Sequence, residues 1–162
     1  MARFAAVPER RARFVEEKRI AALTAPQRST GQLLYRRPAY LEKDTDGPDG
    51  ERLVVDGDRL VLTEGRDAPR VVDLAAHPEA LALVDAIRAP LAGDLAGLRR
   101  NFAVAASGTP GDWRVLLRPR DPAAASLVAR VTVSGRADGP REVLVEQANG
   151  DTDRLAIEPT SR

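Results

Sequence analysis

Arg52-Leu53-Val54-Val55-Asp56-Gly57-Asp58-Arg59-Leu60-Val61-Leu62 is the stretch on which the fold turns. Two short apolar runs flank Asp-Gly-Asp. Asp-Gly supplies the positive φ that a tight hairpin turn needs, so the segment reads as two antiparallel strands. The same rhythm of short runs and turn residues extends in both directions.

Upstream, Leu41 to Thr45 reads as a strand, separated from the hairpin by the turn Asp46-Gly47-Pro48-Asp49-Gly50. Gln32 to Arg36 reads as another, ending at Pro38, and Ala25 to Gly31 is a loop by composition. Residues 3 to 24 are rich in Ala, Glu, Arg and Lys, which favours helix. Within them, Phe14 to Ile20 also reads as a strand with Phe14, Glu16, Lys18 and Ile20 on one face.

Downstream, Val71 to Leu74 is a short strand, and then the β rhythm breaks. Pro78 suits a first helical turn and Glu79 suits the dipole there. Val84, Ile87, Leu91, Leu95 and Leu98 recur at helical steps, interrupted by Pro90 and Gly93, and Asp94 is placed to cap a second helix. Residues 78–100 are therefore expected to form two helices with a bend between them. Strands resume with Phe102, Val104 and Ala106, then Trp113 to Arg118. Leu127, Ala129, Val131 and Val133 alternate over the next, Val143 and Val145 mark another, and Leu155 and Ile157 sit on the last, which stops at Pro159.

Ten or eleven short strands in a meander predict one mainly β domain with helices, spanning residues 1–162. The helical insertion cannot cover both faces of so large a sheet. The simplest solution is a strongly curved antiparallel sheet, an unclosed barrel, with the helices as a lid over its concave face and room for an apolar cavity. A two-sheet sandwich with a packed core, serving as a non-enzymatic protein-interaction domain without a ligand cavity, is the alternative.

Composition narrows the function. Lys and Arg number 25 against 24 Asp and Glu, and only six residues are aromatic. Neither a basic excess nor a base-stacking platform is evident, which argues against nucleic acid. With no cysteine, thiolate metal sites, disulfides and Cys nucleophiles are excluded. No apolar run approaches the roughly 18 residues that span a membrane. His77 has no ligand partners in sequence and precedes Pro78 at the start of a helix. The Asp residues cluster in turns, where they bond their own backbone. Ser107-Gly108 and Ser134-Gly135 lack a nucleophile-elbow context, and no phosphate loop is present. No catalytic residue, metal site or cofactor is expected.

The stretch Gly31 to Leu41 resembles the G-x-L-x-x-x-R-P signature of the LolA family, carriers of outer-membrane lipoproteins. Leu53 to Leu60 is similar to that family's V-x-D-G-x-x-L hairpin. Phe14-x-Glu16-x-Lys18 occupies the place of its first strand, and Val115 to Pro119 resembles its L-x-P strand. The resemblance spans roughly residues 14–159. It implies an unclosed barrel whose cavity receives acyl chains, with residues 14–22 a strand and only residues 2–12 helical. It further implies a periplasmic location after removal of a leader, an inner-membrane transporter as donor and an outer-membrane acceptor. The chain ends soon after its last strand and is less aromatic than the main carriers. It thus resembles a divergent branch, with a lipoprotein, another lipid or a polyene-type molecule as cargo.

The resemblance singles out Arg37. By strand parity it shares a face with Leu33 and Tyr35. On a concave face its guanidinium would need acceptors, and the carbonyls at helix C-termini are the natural ones. In the family the matching Arg latches the lid. Against this stands a solvated strand-end Arg, like its neighbour Arg36. Leu33 and Tyr35 on the strand, with Val84, Ile87, Leu91, Leu95 and Leu98 on the helices, are the candidate cavity lining. The same helical stripe also reads as ordinary core.

Overall fold

The computed structural model describes residues 8–160. The strands are β1 (Glu9–Arg19), β2 (Gln27–Arg36), β3 (Tyr40–Thr45), β4 (Glu51–Asp56), β5 (Arg59–Glu64), β6 (Arg70–Asp73), β7 (Phe102–Thr109), β8 (Asp112–Pro119), β9 (Val128–Arg136), β10 (Gly139–Gln147) and β11 (Thr152–Pro159). The helices are α1 (Pro78–Ala92), α2 (Leu95–Asn101) and α3 (Pro122–Leu127). All eleven strands form one antiparallel sheet, ordered β6-β5-β4-β3-β2-β1-β11-β10-β9-β8-β7. The sheet is not closed into a barrel, and β6 and β7 are its two edges.

Alternation makes the inner face. Ala12, Phe14, Leu33, Tyr35, Leu41, Val55, Val115, Leu117, Val131, Val133, Val143, Leu155 and Ile157 all point inward and are buried. The α1 helix lies against this face, between two apolar clusters. One gathers β1 and β8–β11 with Leu98 and Phe102. The other gathers β2–β5 with Leu74, Val84 and Leu91. Ile87 packs against both.

Local chemistry positions the helices. Pro78 occupies the first turn of α1, and Gly93 ends the helix at φ 67°, a left-handed conformation that costs other residues strain. Asp94 caps α2, its Oδ1 accepting from Gly97 N at 2.8 Å. The bend thus lies at Gly93 and Asp94. Pro90, expected to interrupt the helix, is buried inside the last turn of α1, where it cannot donate to Ala86 O.

Three sequence expectations are corrected. Of the helix expected over residues 2–12, residues 2–7 lie outside the described residues, and from Glu9 the chain is already β1. Pairing on both sides, to β2 and β11, overrides its helical propensity. The expected loop at 25–31 is strand from Gln27, and Gly31 is needed where it lies. A Cβ there would come 2.1 Å from Asp44 O and 2.6 Å from the Phe14 ring. Finally, Leu127 ends α3 rather than opening a strand and is 53% exposed. Asp121 caps that helix through Ala123 N and Ala124 N.

Candidate functional site

A cavity of about 630 Å³ opens at one end of the concave face. Ala12 of β1, Ile157 and Pro159 of β11, Pro140 of β10 and Leu91 of α1 give it apolar walls. Its rim is charged. Arg10 Nη1 donates to the carbonyl of Asp138 at 2.7 Å, and Arg141 Nη2 donates to both Asp138 carboxylate oxygens at 2.8 and 3.0 Å. Arg10 follows the inward parity of Ala12 and stands opposite Tyr35. Burial holds its guanidinium below the usual arginine range. An apolar pocket with a guanidinium at its lip suits a molecule with a greasy body and a polar end.

The polar tie between helix and sheet lies elsewhere on α1. Arg88 Nη1 donates to Ala39 O, in the turn after β2, at 3.1 Å and to Gly57 O, in the β4–β5 hairpin. Its Nη2 donates to Asp85 Oδ1 at 2.9 Å, and Asn101 Nδ2 of α2 donates to Asp85 Oδ2 at 2.7 Å. Burial raises the Asp85 carboxyl above its ordinary value, with Arg88 opposing. Arg88 thus pins α1 to two sheet turns while Asp85 ties α1 to α2.

A second ionic group faces inward further along β1. Lys43 Nζ donates to both Glu16 carboxylate oxygens at 3.0 Å and stands 5.2 Å from the centre of the Phe14 ring. Burial opposes the charge on Glu16, but Lys43, Asp153 and Lys18 outweigh it and hold Glu16 below its usual range. Burial, with Glu16 alongside, pushes the Asp153 carboxyl up to about 7.

The sequence-based candidates fall into three places. Arg37 lies in the turn after β2, exposed, rather than on the concave face with Leu33 and Tyr35, because the strand ends at Arg36 and its alternation ends with it. The role of tying helix to sheet carbonyls falls to Arg88, with donor and acceptors on opposite elements from those expected. Leu91 alone of the proposed lining borders the 630 Å³ cavity. Leu33, Tyr35, Val84 and Leu98 are buried in the two clusters, Ile87 is half-buried between them, and Leu95 is half-buried on α2. Sequence reasoning missed Arg10 and Arg88. Parity from Phe14 pointed to the first. The second sits one step from Ile87 on a helix whose apolar stripe drew the reading away from its polar neighbour.

Residues 1–160 match the family model described as outer membrane lipoprotein carrier protein LolA-like. The chain belongs to this LolA-like family. No protein of curated function matches the sequence. Among solved structures, this LolA-like chain is similar to the LolA superfamily protein NE2245 of Nitrosomonas europaea, with 11% identity and TM-score 0.48, over 97% of this chain and 88% of that one. It is also similar to a chain of the Pseudomonas aeruginosa MucA/MucB complex, with 15% identity and TM-score 0.48, over 96% of this chain but 52% of that one. A third is a β-barrel-like protein of domain DUF1849 from Brucella abortus, with 12% identity and TM-score 0.38, over 96% and 98%. Among the described residues, no helix is long and apolar enough to cross a membrane.

Proposed function

We propose that this LolA-like chain is a non-enzymatic periplasmic carrier. It holds the acyl part of a lipoprotein, another lipid or a lipid-like molecule beneath α1, taking it from an inner-membrane transporter and yielding it to an outer-membrane acceptor. The observation that supports this best is the cavity walled by Ala12, Leu91, Ile157 and Pro140, about 630 Å³ in volume, within the range of ligand sites, roughly 300–1,000 Å³. Its wall at Leu91 belongs to α1, so lifting the helix joins the cavity to the sheet face lined by Leu33 and Tyr35.

Acyl burial is worth on the order of 0.8 kcal/mol per methylene. A shuttle must also release its cargo, so part of that gain has to be offset. Loading requires α1 to leave Ala39 O and Gly57 O and to expose Asp85, which sets an opposing cost in charge-assisted hydrogen bonds. Arg88 is in this reading the latch.

Native mass spectrometry of protein purified from a Gram-negative periplasm, followed by organic extraction, tests the proposal. A co-purifying lipid of defined mass, lost on denaturation, is the expected result. Bare protein that also fails to take up a fluorescent fatty acid would overturn it and leave the interaction-domain reading.

A further inference from the structure

The two free edges of the sheet are built differently. Natural edge strands avoid unwanted pairing by being short, charged or covered. The β6 edge follows that rule, with four residues bounded by Arg70 and Asp73. The β7 edge does not: Phe102-Ala-Val-Ala-Ala-Ser-Gly-Thr109 has eight residues and no charge, and Ala105 through Thr109 are all exposed. Among the described residues it pairs with β8 on one side only. Beyond Phe102, whose N–H donates to Leu98 O and whose carbonyl accepts from Arg120 Nε at 3.0 Å, its other side presents a run of backbone donors and acceptors to solvent.

The flanking outer face carries a second signal. Arg114 is registered opposite Ser107 and Arg118 opposite Ala103, with Leu116 opposite Ala105 between them. Both arginines are exposed, and among the described residues neither has an ion-pair or hydrogen-bond partner. On the same outer face, Arg130 is paired with Glu146 and Arg154 with Glu142. The β7 side chains standing between these two arginines and the edge are small, so the guanidinium groups can reach across them. A groove of about 550 Å³, lined in part by Ala105, Ser107, Arg114 and Leu116, runs alongside.

We propose that β7 is a docking edge for an extended acidic peptide, which adds a twelfth strand to the sheet. Main-chain hydrogen bonds to β7 give such a complex its affinity, and alternate side chains give it selectivity. The register defines the pattern. Acidic residues of the partner face Ser107 and Ala103, four positions apart, and an apolar residue midway between them lies against Leu116. A second copy of this chain is a poor occupant, because it would place two unpaired basic rows on either side of the seam. This inference does not depend on the carrier reading.

The probe is the blocked peptide acetyl-Thr-Glu-Val-Leu-Val-Glu-Thr-amide, with amide hydrogen exchange of the whole chain as the readout. Slowed exchange confined to residues 103–109 is expected. Replacing both Glu of the peptide by Lys should weaken binding about tenfold or more. The double variant Arg114→Glu/Arg118→Glu should reverse that preference, and its unchanged far-ultraviolet circular dichroism would show that it folds. N-methylation of alternate peptide amides should abolish binding to wild type. The proposal is overturned by absence of protection at about 1 mM peptide, by protection away from β7, or by an unreversed preference in the folded double variant. Concentration-dependent protection of β7 in the free protein would overturn it as well, since the edge would then pair with itself.

Discussion

Two arginines and one carboxyl separate function from accident at the scale of single residues. Arg37 and Arg88 are both candidates to hold the lid, but among the described residues only the Arg88 side chain bonds across elements, to Ala39 O and Gly57 O. Replacing Arg88 by Ala leaves two carbonyls without that donor and the half-buried Asp85 without its countercharge. This is expected to cost about 1–3 kcal/mol. Arg37→Ala, at an exposed turn, should stay within about 0.5 kcal/mol of wild type. Urea denaturation of the two variants checks this, and equal losses would remove Arg88 from the latch role. Asp153 predicts a pH dependence. Its carboxyl rises from an ordinary 3.8 to about 7 in the folded state. Between those values the folded protein keeps a proton that the unfolded chain has released, so stability falls as pH rises through that window. Glu16 contributes in the opposite sense, but only below its ordinary 4.5. Tm should therefore fall from pH 5 to pH 8, and Asp153→Asn should lessen the fall. A variant with an unchanged slope would locate the effect elsewhere.

For the elements, the junction of α1 and α2 is the informative test. Gly93 adopts φ 67° and donates its N–H back to Ala89 O and Pro90 O, and Asp94 caps the next helix. Gly93→Ala should cost about 1 kcal/mol through the left-handed conformation, and Asp94→Ala about 1 kcal/mol through the lost cap. Thermal unfolding monitored by circular dichroism measures both. This junction was readable in the sequence because Gly and Asp carry local signals. The β4–β5 hairpin was readable for the same reason, through Asp56-Gly57. The start of β1 was not, because Glu9 to Arg13 becomes strand only through neighbours that arrive from β2 and β11. The α3 helix carried its signal in Asp121-Pro122 before an Ala run, and the alternation downstream masked it. Among the site residues, the inward parity of Leu33 and Tyr35 was legible, whereas Arg37 was misplaced because alternation stops where the strand does. An apolar cavity was expected from the architecture and Leu91 was named for it, but its place and its other walls were not legible. Its walls come from the starts of β1 and β10, the end of β11 and one turn of α1, which no local pattern brings together.

In the whole molecule, the open sheet and α1 on its inner face form one mechanical unit. The halves of the core meet through α1: Val84 and Leu91 pack with the β2–β5 side, Ala82, Ala86 and Ala89 pack with the β8–β11 side, and Ile87 touches both. A sheet closed by hydrogen bonds between β6 and β7 would resist widening, but these strands are its free ends. Lifting α1 therefore separates the two clusters without breaking a strand pair, and that movement enlarges the cavity at Leu91. The cost is apolar contact along α1 plus the Arg88 bonds, and a buried acyl chain restores the apolar part. The helix should consequently move when cargo binds, and should move further in the free protein once Arg88 is removed. The chain contains no cysteine, so nitroxide labels can be placed at Leu83→Cys on α1 and Val71→Cys on β6, where both side chains are exposed. Pulsed electron paramagnetic resonance should show one narrow distance for the free wild type and a longer or broader distribution with oleate. Arg88→Met should already show part of that shift without ligand. If oleate binds while both distributions stay unchanged, α1 is a fixed wall and the cavity fills without a lid. If only the Arg88 variant shifts, Arg88 restrains the helix but cargo does not displace it.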